Sequence, residues 1–159
     1  MSVAFTREED LESQAADVPD RPISPHPNLV TASGLAAIEH DLAAAQAAYA
    51  AARSAGDIST DRTAMARATR DLRYWSARRA TARISDPEGA PGKVQFGRTV
   101  ELERENGRRQ TFRIVGEDEA DPARGRISYV SPLARALMGA EAGDVVRVGE
   151  GEAEVLRVR

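Results

Sequence analysis

The chain has 159 residues, no cysteine and a formal net charge of −3, with a pI near 5.5. This length fits one ordinary domain or two small ones. The acidic balance argues against non-specific binding to nucleic acid phosphates, because such binding needs an excess of Lys and Arg. It favours a protein partner. Disulfides and thiolate metal sites are excluded. With no leader pattern and no apolar run of about 18 residues, we expect a soluble, cytoplasmic protein that makes no membrane contact.

The first 30 residues are predicted to be a disordered acidic tail and a connector. Residues 1 to about 20 are acidic and poor in apolar side chains, so they bury too little surface to offset the entropy of ordering. Prolines at positions 22, 25 and 27 then fix the backbone and remove donors, which is typical of an extended connector.

Residues 31–85 have the period of a helical hairpin. Apolar positions step by three and four residues along two arms, as in a coiled coil, and "SAGDIST" breaks the pattern at a tip near residues 55–61. Each arm of about 22 residues would extend about 33 Å. The expected seams are Leu35, Ile38, Leu42, Ala45, Tyr49 and Ala52, and Met65, Ala68, Leu72, Trp75, Arg79 and Ala82.

The second arm is rich in arginine despite the acidic whole. Two interpretations stay open, a solvated helix face and a surface for an acidic protein or nucleic acid. The arginines concerned are Arg62, Arg67, Arg70, Arg73, Arg78, Arg79 and Arg83.

Residues 86–92 are predicted to be a linker, and residues 93–159 a small α+β unit. Prolines and glycines in "SDPEGAPGK" end the helix, and five short β-branched runs follow. Asn106-Gly107 predicts a tight hairpin between the first two strands, and "GEG" at 149–151 another between the last two. We expect an antiparallel sheet with "SPLARALMG" as one helix folded over it.

Several blocks of the C-terminal part resemble a known family. "VQFGRTVEL", "FRIVGEDEAD", "ISYVSPLARALMGAEAGDVVRV" and "AEVLRV" occur in the order and spacing of the C-terminal domain of the bacterial Gre (GreA/GreB) transcript cleavage factors. The resemblance covers most of residues 93–159, and the hairpin is similar in architecture to the family's N-terminal coiled coil. It implies an antiparallel α-helical coiled-coil hairpin followed by a small FKBP-like antiparallel β domain with one short helix.

The resemblance also implies a partner, bacterial RNA polymerase. In this family the globular domain docks at the rim of the secondary channel and the coiled coil enters it. The protein would then be a monomer that is no enzyme itself, has no cofactor of its own and meets nascent RNA only indirectly. The candidate partner-binding residues are Ser131, Pro132, Leu133, Arg135, Met138, Glu119 and Asp121.

Other roles compete with docking at some of these positions. Leu133 and Leu137 have the spacing of core residues. The acidic loop of Glu117, Asp118, Glu119 and Asp121 fits solvation as well as it fits contact with a basic partner surface.

The hairpin tip departs from the family's pattern. Cleavage-competent members carry a stretch resembling Gly-Asp-x-x-Glu-Asn, whose acids help to hold a second magnesium ion in the polymerase active site. Here "GDISTD" keeps Gly56 and Asp57, but Thr60 replaces the glutamate and Asp61 replaces the asparagine. Asp57 and Asp61 are therefore the candidate catalytic and magnesium-assisting residues. Both arms also look shorter than the family's by two turns, or about 11 Å.

Three functions follow from these observations as alternatives. The first is a Gre-type elongation factor that modulates backtracked complexes, by stimulating the polymerase's own transcript cleavage. The second is a non-cleaving secondary-channel competitor similar to the Gre-related Rnk proteins, which the missing glutamate and the short arms favour. The third is an unrelated binding module that reuses the fold.

Overall fold

A computed structural model describes residues 18–55 and 58–159, and for residues 58–61 the backbone alone. The chain forms two compact units, one from the described part of residues 1–25 with residues 37–81, and one from residues 26–36 with 82–159. The helices are α1 (Ala32–Ser54), α2 (Ile58–Thr81) and α3 (Pro132–Leu137). The strands are β1 (Leu29–Val30), β2 (Arg83–Ile84), β3 (Thr99–Arg104), β4 (Arg109–Val115), β5 (Arg126–Ser128), β6 (Val145–Val148) and β7 (Gly151–Val158). Among the described residues, no helix has the length and apolarity that a membrane span requires.

The predicted helical hairpin is confirmed. Helices α1 and α2 have 23 and 24 residues, so each extends about 35 Å. Along α1, Ile38, Ala45 and Ala52 are buried at intervals of seven residues, and the other predicted seam positions are half-buried. This heptad spacing keeps one stripe of the helix inward, and alanine at two of these positions permits close approach of the partner helix.

The predicted seam of α2 is confirmed except at its C-terminal end. Ala68 is buried, and Met65, Leu72 and Trp75 are half-buried. Arg79 was predicted at the seam, but it is exposed and its Nε lies 2.9 Å from Glu39 Oε1 of α1. Arg78 is the buried residue of this turn, at 2% exposed, so Arg79 lies on the solvent side of the helix, where its charge is hydrated and pairs with Glu39.

The second unit contains a five-stranded sheet with the strand order β5-β4-β3-β7-β6. The pairs β3/β4, β3/β7 and β6/β7 are antiparallel, and the two predicted tight hairpins are present. The expectation of a purely antiparallel sheet is wrong at one edge, because β5 pairs with β4 in parallel. The connection between them is a long loop that includes the 3-10 helix Pro122–Arg124, so β5 enters the sheet in the direction of β4.

The core of this unit lies between one face of the sheet and α3. Val100 and Leu102 alternate inward along β3, with Leu102 opposite Val155 of β7, and all three are fully buried. Ala134 and Leu137 of α3 are also fully buried in this cluster. The period of two in the strands therefore positions α3 on the sheet, and the α+β class is confirmed.

A second, two-stranded sheet was missed by the sequence analysis. β1 and β2 pair in parallel, with Arg83 N–H donating to Asn28 O at 2.9 Å and Ser85 N–H donating to Val30 O at 3.0 Å. β1 lies at the end of the predicted connector, residues 1–30, and β2 lies at the end of the predicted hairpin, residues 31–85. The proposed division into residues 1–30, 31–85, 86–92 and 93–159 stays a prediction, and the pairing groups residues 26–36 with the C-terminal unit.

Gly116 explains how β1 lies so close to the end of β4. A Cβ atom at this buried position would stand 2.3 Å from Leu29 O and 3.7 Å from Val30 Cα. No real Cβ contact is so short, so the approach of the two backbones requires glycine.

Candidate functional site

The start of α3 is fixed by its own sequence. Ser131 is the N-cap, with φ −64° and ψ 151°, and its Oγ accepts a hydrogen bond from Ala134 N–H at 3.3 Å. Pro132 occupies the first turn, where its missing N–H has no helical partner to lose. The helix ends at Leu137, and the C-cap residue Met138 donates its N–H to Ala134 O at 3.0 Å. This helix is therefore capped at one end and packed on the sheet.

One face of α3 is turned outward. Pro132, Arg135 and Met138 follow each other at intervals of three residues, and all three are exposed, Met138 at 41%. Because residues three apart share a helix face, they form one patch, which we call the α3 patch. Leu137 is fully buried, which confirms its core assignment, and Leu133 is half-buried against the core. The patch thus combines apolar surface with one cation.

The acidic loop is engaged with the start of α1. Glu119 Oε2 accepts hydrogen bonds from Thr31 Oγ1 and Ser33 Oγ, each at 2.9 Å. Thr31 Oγ1 in turn accepts from Gly34 N–H at 3.0 Å. A carboxylate at this place offsets the positive end of the helix dipole. The side chain predicted to meet a partner is therefore bonded within its own unit.

Asp121 is also paired within the chain. Its Oδ2 lies 3.5 Å from Arg124 Nε and 3.8 Å from Arg126 Nη2. The partner-binding roles of Glu119 and Asp121 stay predictions, because Glu119 is hydrogen-bonded to Thr31 and Ser33 and Asp121 is paired with Arg124 and Arg126.

Of the two candidate tip residues, Asp57 lies outside the described residues. Asp61 is the fourth residue of α2, and only its backbone is described. Within the described side chains, no three His, Cys, Asp or Glu residues come together as metal ligands. The tip carboxylates thus stay predictions as helpers of a magnesium ion held by another protein.

Several arginines of α2 have partners within the first unit. Arg70 Nε lies 3.2 Å from Asp71 Oδ1, Arg73 Nη1 lies 3.2 Å from Asp20 Oδ1, and Arg79 pairs with Glu39. Arg78 is 2% exposed. Arg62 and Arg67, which lie nearer the tip, are exposed. The arginines with ion-pair partners lie further along the helix.

The Pro-rich connector makes a contact that was not predicted from the sequence. Arg21 places its guanidinium carbon 3.8 Å from the centroid of the Tyr74 ring and 5.1 Å from that of Trp75. Arg21 Nη1 also lies 3.5 Å from Asp71 Oδ1. No local signal predicts this contact, because about 50 residues separate Arg21 from its neighbours.

Comparison with known proteins identifies the family. Residues 88–159 match the family model described as "Transcription elongation factor, GreA/GreB, C-term". The chain is 41% identical over 128 residues to the transcription elongation factor GreA of Thioalkalivibrio sulfidiphilus, covering 71% of this chain and 80% of that protein. It is 48% identical over 87 residues to the GreA of Alkalilimnicola ehrlichii, covering 50% of this chain and 55% of that protein.

The chain therefore spans little more than half of one such relative and four fifths of another. Among solved structures, it is similar to the GreA factor homolog 1 (Gfh1) of Thermus thermophilus, with 22% identity, a TM-score of 0.41 and coverage of 84% of this chain and 99% of that one. The family model covers the five-stranded sheet and α3, and the match to the GreA of Thioalkalivibrio sulfidiphilus is longer, at 71% of this chain. This chain belongs to the GreA/GreB family of transcription elongation factors.

Proposed function

We propose that this protein binds bacterial RNA polymerase at the rim of the secondary channel and modulates elongation or backtracked complexes. The observation that carries the proposal is the α3 patch, a capped helix with exposed Pro132, Arg135 and Met138, in a chain that also has a helical hairpin. A compact apolar patch with one arginine has the composition of the centre of a protein interface. The protein would act as a monomer in the cytoplasm.

The hairpin is suited to a narrow opening. Two helices that pack through alanine make a thin rod, and each arm extends about 35 Å. Buried Ala45, Ala52 and Ala68 support this arrangement. We infer that the rod enters the channel while the C-terminal unit is the anchor.

Cleavage, if it is stimulated, takes place in the polymerase. Asp57 and Asp61 would help to hold a magnesium ion that belongs to the polymerase, because Mg²⁺ prefers carboxylate and water oxygens. Two metal ions that flank a phosphate stabilise the attacking and leaving oxygens. The protein itself would be no enzyme and would meet RNA only at that active site.

A non-cleaving competitor, similar to Rnk, is the second candidate. Thr60 stands where the family's tip glutamate is expected, and a hydroxyl brings no full negative charge to a metal. Metal ligands must also lie close to 2.1 Å from magnesium, so a short rod is a poor helper unless the body docks deeper. A protein that only occupies the channel needs neither the tip glutamate nor contact with the magnesium ion.

A backtracked elongation complex separates the two candidates. The complex, with radiolabelled RNA, is incubated with the protein and with Asp57→Ala and Asp61→Ala variants, and the RNA 3′ end is followed on a gel. RNA shortening that the variants abolish supports cleavage stimulation. Intact RNA with displacement of an established secondary-channel factor supports the competitor. No binding to core polymerase in a pull-down overturns both.

A further inference from the structure

The connector holds a pair of opposite charges against α2. Asp20 and Arg21 are adjacent in the chain, and each meets a group of opposite charge on the helix. Arg73 Nη1 donates a hydrogen bond to Asp20 Oδ1 at 3.2 Å. Arg21 lies beside Asp71, whose Oδ1 is 3.5 Å from its Nη1.

The Arg21 guanidinium is held by more than charge. It lies 3.8 Å from the centroid of the Tyr74 ring and 5.1 Å from that of Trp75. The two rings are perpendicular, at 81° and 4.9 Å between centroids, so they form two walls of one niche. Aromatic walls with a carboxylate beside them are a general way to recognise a cationic side chain.

The surface around this niche is concave. A cavity of about 170 Å³ is lined by Asp20, Arg21, Ile23, Arg70, Arg73 and Tyr74. On α2 itself, the guanidinium of Arg73 contacts the Asp20 carboxylate. The carboxylate of Asp71, which also accepts from Arg70 Nε at 3.2 Å, lies beside the Arg21 guanidinium and next to the Tyr74 and Trp75 rings. We call this set of Arg73, Asp71, Tyr74 and Trp75 the α2 niche.

The connector is bound there by exchangeable contacts. Both side chains of the Arg21–Asp71 pair are 36% exposed, and those of the Arg73–Asp20 pair are 68% and 65% exposed. Such ion pairs in water are weak. Within the described part of the chain, residues 18–25 share no backbone hydrogen bond with α2.

We propose that the α2 niche is a binding site for an acidic residue followed by arginine on an extended segment of a partner protein, and that Asp20 and Arg21 occupy it in cis. The charge order of the niche selects that order in the ligand, because the reverse order would face Arg73 with a cation and Asp71 with an anion. The connector is then an intramolecular competitor that a partner must displace. This inference does not depend on polymerase binding.

Trp75 provides the test, because it is the only tryptophan in the chain. The full-length protein and the double variant Asp20→Ala/Arg21→Ala are titrated with the peptide acetyl-Pro-Asp-Arg-Pro-amide while Trp75 emission is recorded. The double variant should bind it saturably, and the unmodified protein should need about tenfold more peptide, because the tethered pair competes at a high effective concentration. The peptide acetyl-Pro-Arg-Asp-Pro-amide, of the same composition, should bind the double variant about fivefold more weakly.

Two controls make the result decisive. Arg67→Ala removes an exposed arginine of α2 that does not line the niche, and should leave peptide binding unchanged. Far-UV circular dichroism of the double variant should match that of the unmodified protein. No saturable change in the double variant, equal binding of the two peptides, or equal binding by both proteins would overturn the proposal. The titration uses this protein alone, so its failure would leave the proposed function standing.

Discussion

At the residue scale, Glu119 lies in a loop but contributes to the stability of the second unit. Its carboxylate accepts hydrogen bonds from Thr31 and Ser33 at the start of α1, where the helix has unsatisfied N–H groups. It therefore links the loop after β4 to the beginning of a helix 88 residues earlier. A residue placed in this way stabilises the second unit whether or not it also touches a partner.

We expect Glu119→Ala to lower the free energy of unfolding by about 1 to 2 kcal/mol, because two hydroxyl groups lose a charged acceptor and the helix loses an anion near its N-terminus. Glu119→Gln keeps an acceptor and should cost less. Glu150→Ala, an exposed glutamate in the β6–β7 turn, is the matched control and should stay within about 0.5 kcal/mol. Urea unfolding followed by circular dichroism measures all three. Equal effects at 119 and 150 would contradict the role given to Glu119.

Gly116 gives a second prediction at this scale. Gly116→Ala would place a methyl group 2.3 Å from Leu29 O, so β1 must move away, and we expect a loss of about 1 to 3 kcal/mol. Gly92→Ala is the control, since a Cβ atom there has nothing within 4 Å. Calorimetry should show a melting temperature lower by several degrees for the first variant only. An unchanged Gly116→Ala melt would mean that β1 is not held against β4.

At the scale of the element, the seam of the hairpin depends on small side chains. Ala45 is buried at the centre of α1, and Ala48, three residues later, is exposed on the same helix. Both positions have the same helix propensity, so a comparison between them isolates the effect of packing.

Ala45→Leu should destabilise the hairpin by about 1 to 3 kcal/mol, because three more carbon atoms enter a filled seam. Ala48→Leu should change stability by less than about 0.5 kcal/mol. Trp75 emission during urea unfolding reports on the hairpin directly, since this side chain lies half-buried in α2. A stabilised Ala45→Leu variant would show that the seam contains unfilled space, contrary to the close packing described above.

At the scale of the whole molecule, two units with different surfaces suit two tasks. The C-terminal unit offers the α3 patch, and the hairpin offers a rod with exposed arginines near its tip. Family membership is established by the matched segments, and the division of labour is the proposal that the polymerase experiments test.

The α3 patch makes a direct prediction about binding. Arg135→Ala and Met138→Ala should each weaken the affinity for core polymerase by about tenfold, the loss typical of a central interface residue. Both side chains are exposed, so the melting temperature should stay the same. Arg157→Ala, an exposed arginine of β7, is the matched control. If both patch variants bind as tightly as the unmodified protein, the α3 patch is not the docking surface.

The sequence by itself determined the features that depend on near neighbours. The heptads of α1, the Asn106-Gly107 hairpin and the Ser131-Pro132 helix start were all predicted, because periodicity, turn chemistry and capping act over a few residues. The blocks of residues 93–159 were also sufficient to recognise the family, since their order and spacing are properties of the sequence itself.

Only the tertiary structure decided which distant residues meet. Four contacts join segments that no local pattern connects: the parallel pairing of β5 with β4, the strand pair β1/β2, Glu119 at the start of α1, and Arg21 beside Tyr74 and Trp75. Contacts between distant segments require that the intervening loop be closed, which costs entropy. The packing of the whole unit offsets this cost, so the contacts depend on the complete fold. The physical reason for this difference is the separation of the interacting residues along the chain. Interactions over a few residues can be predicted from the sequence, whereas pairing between distant segments is known only from the fold.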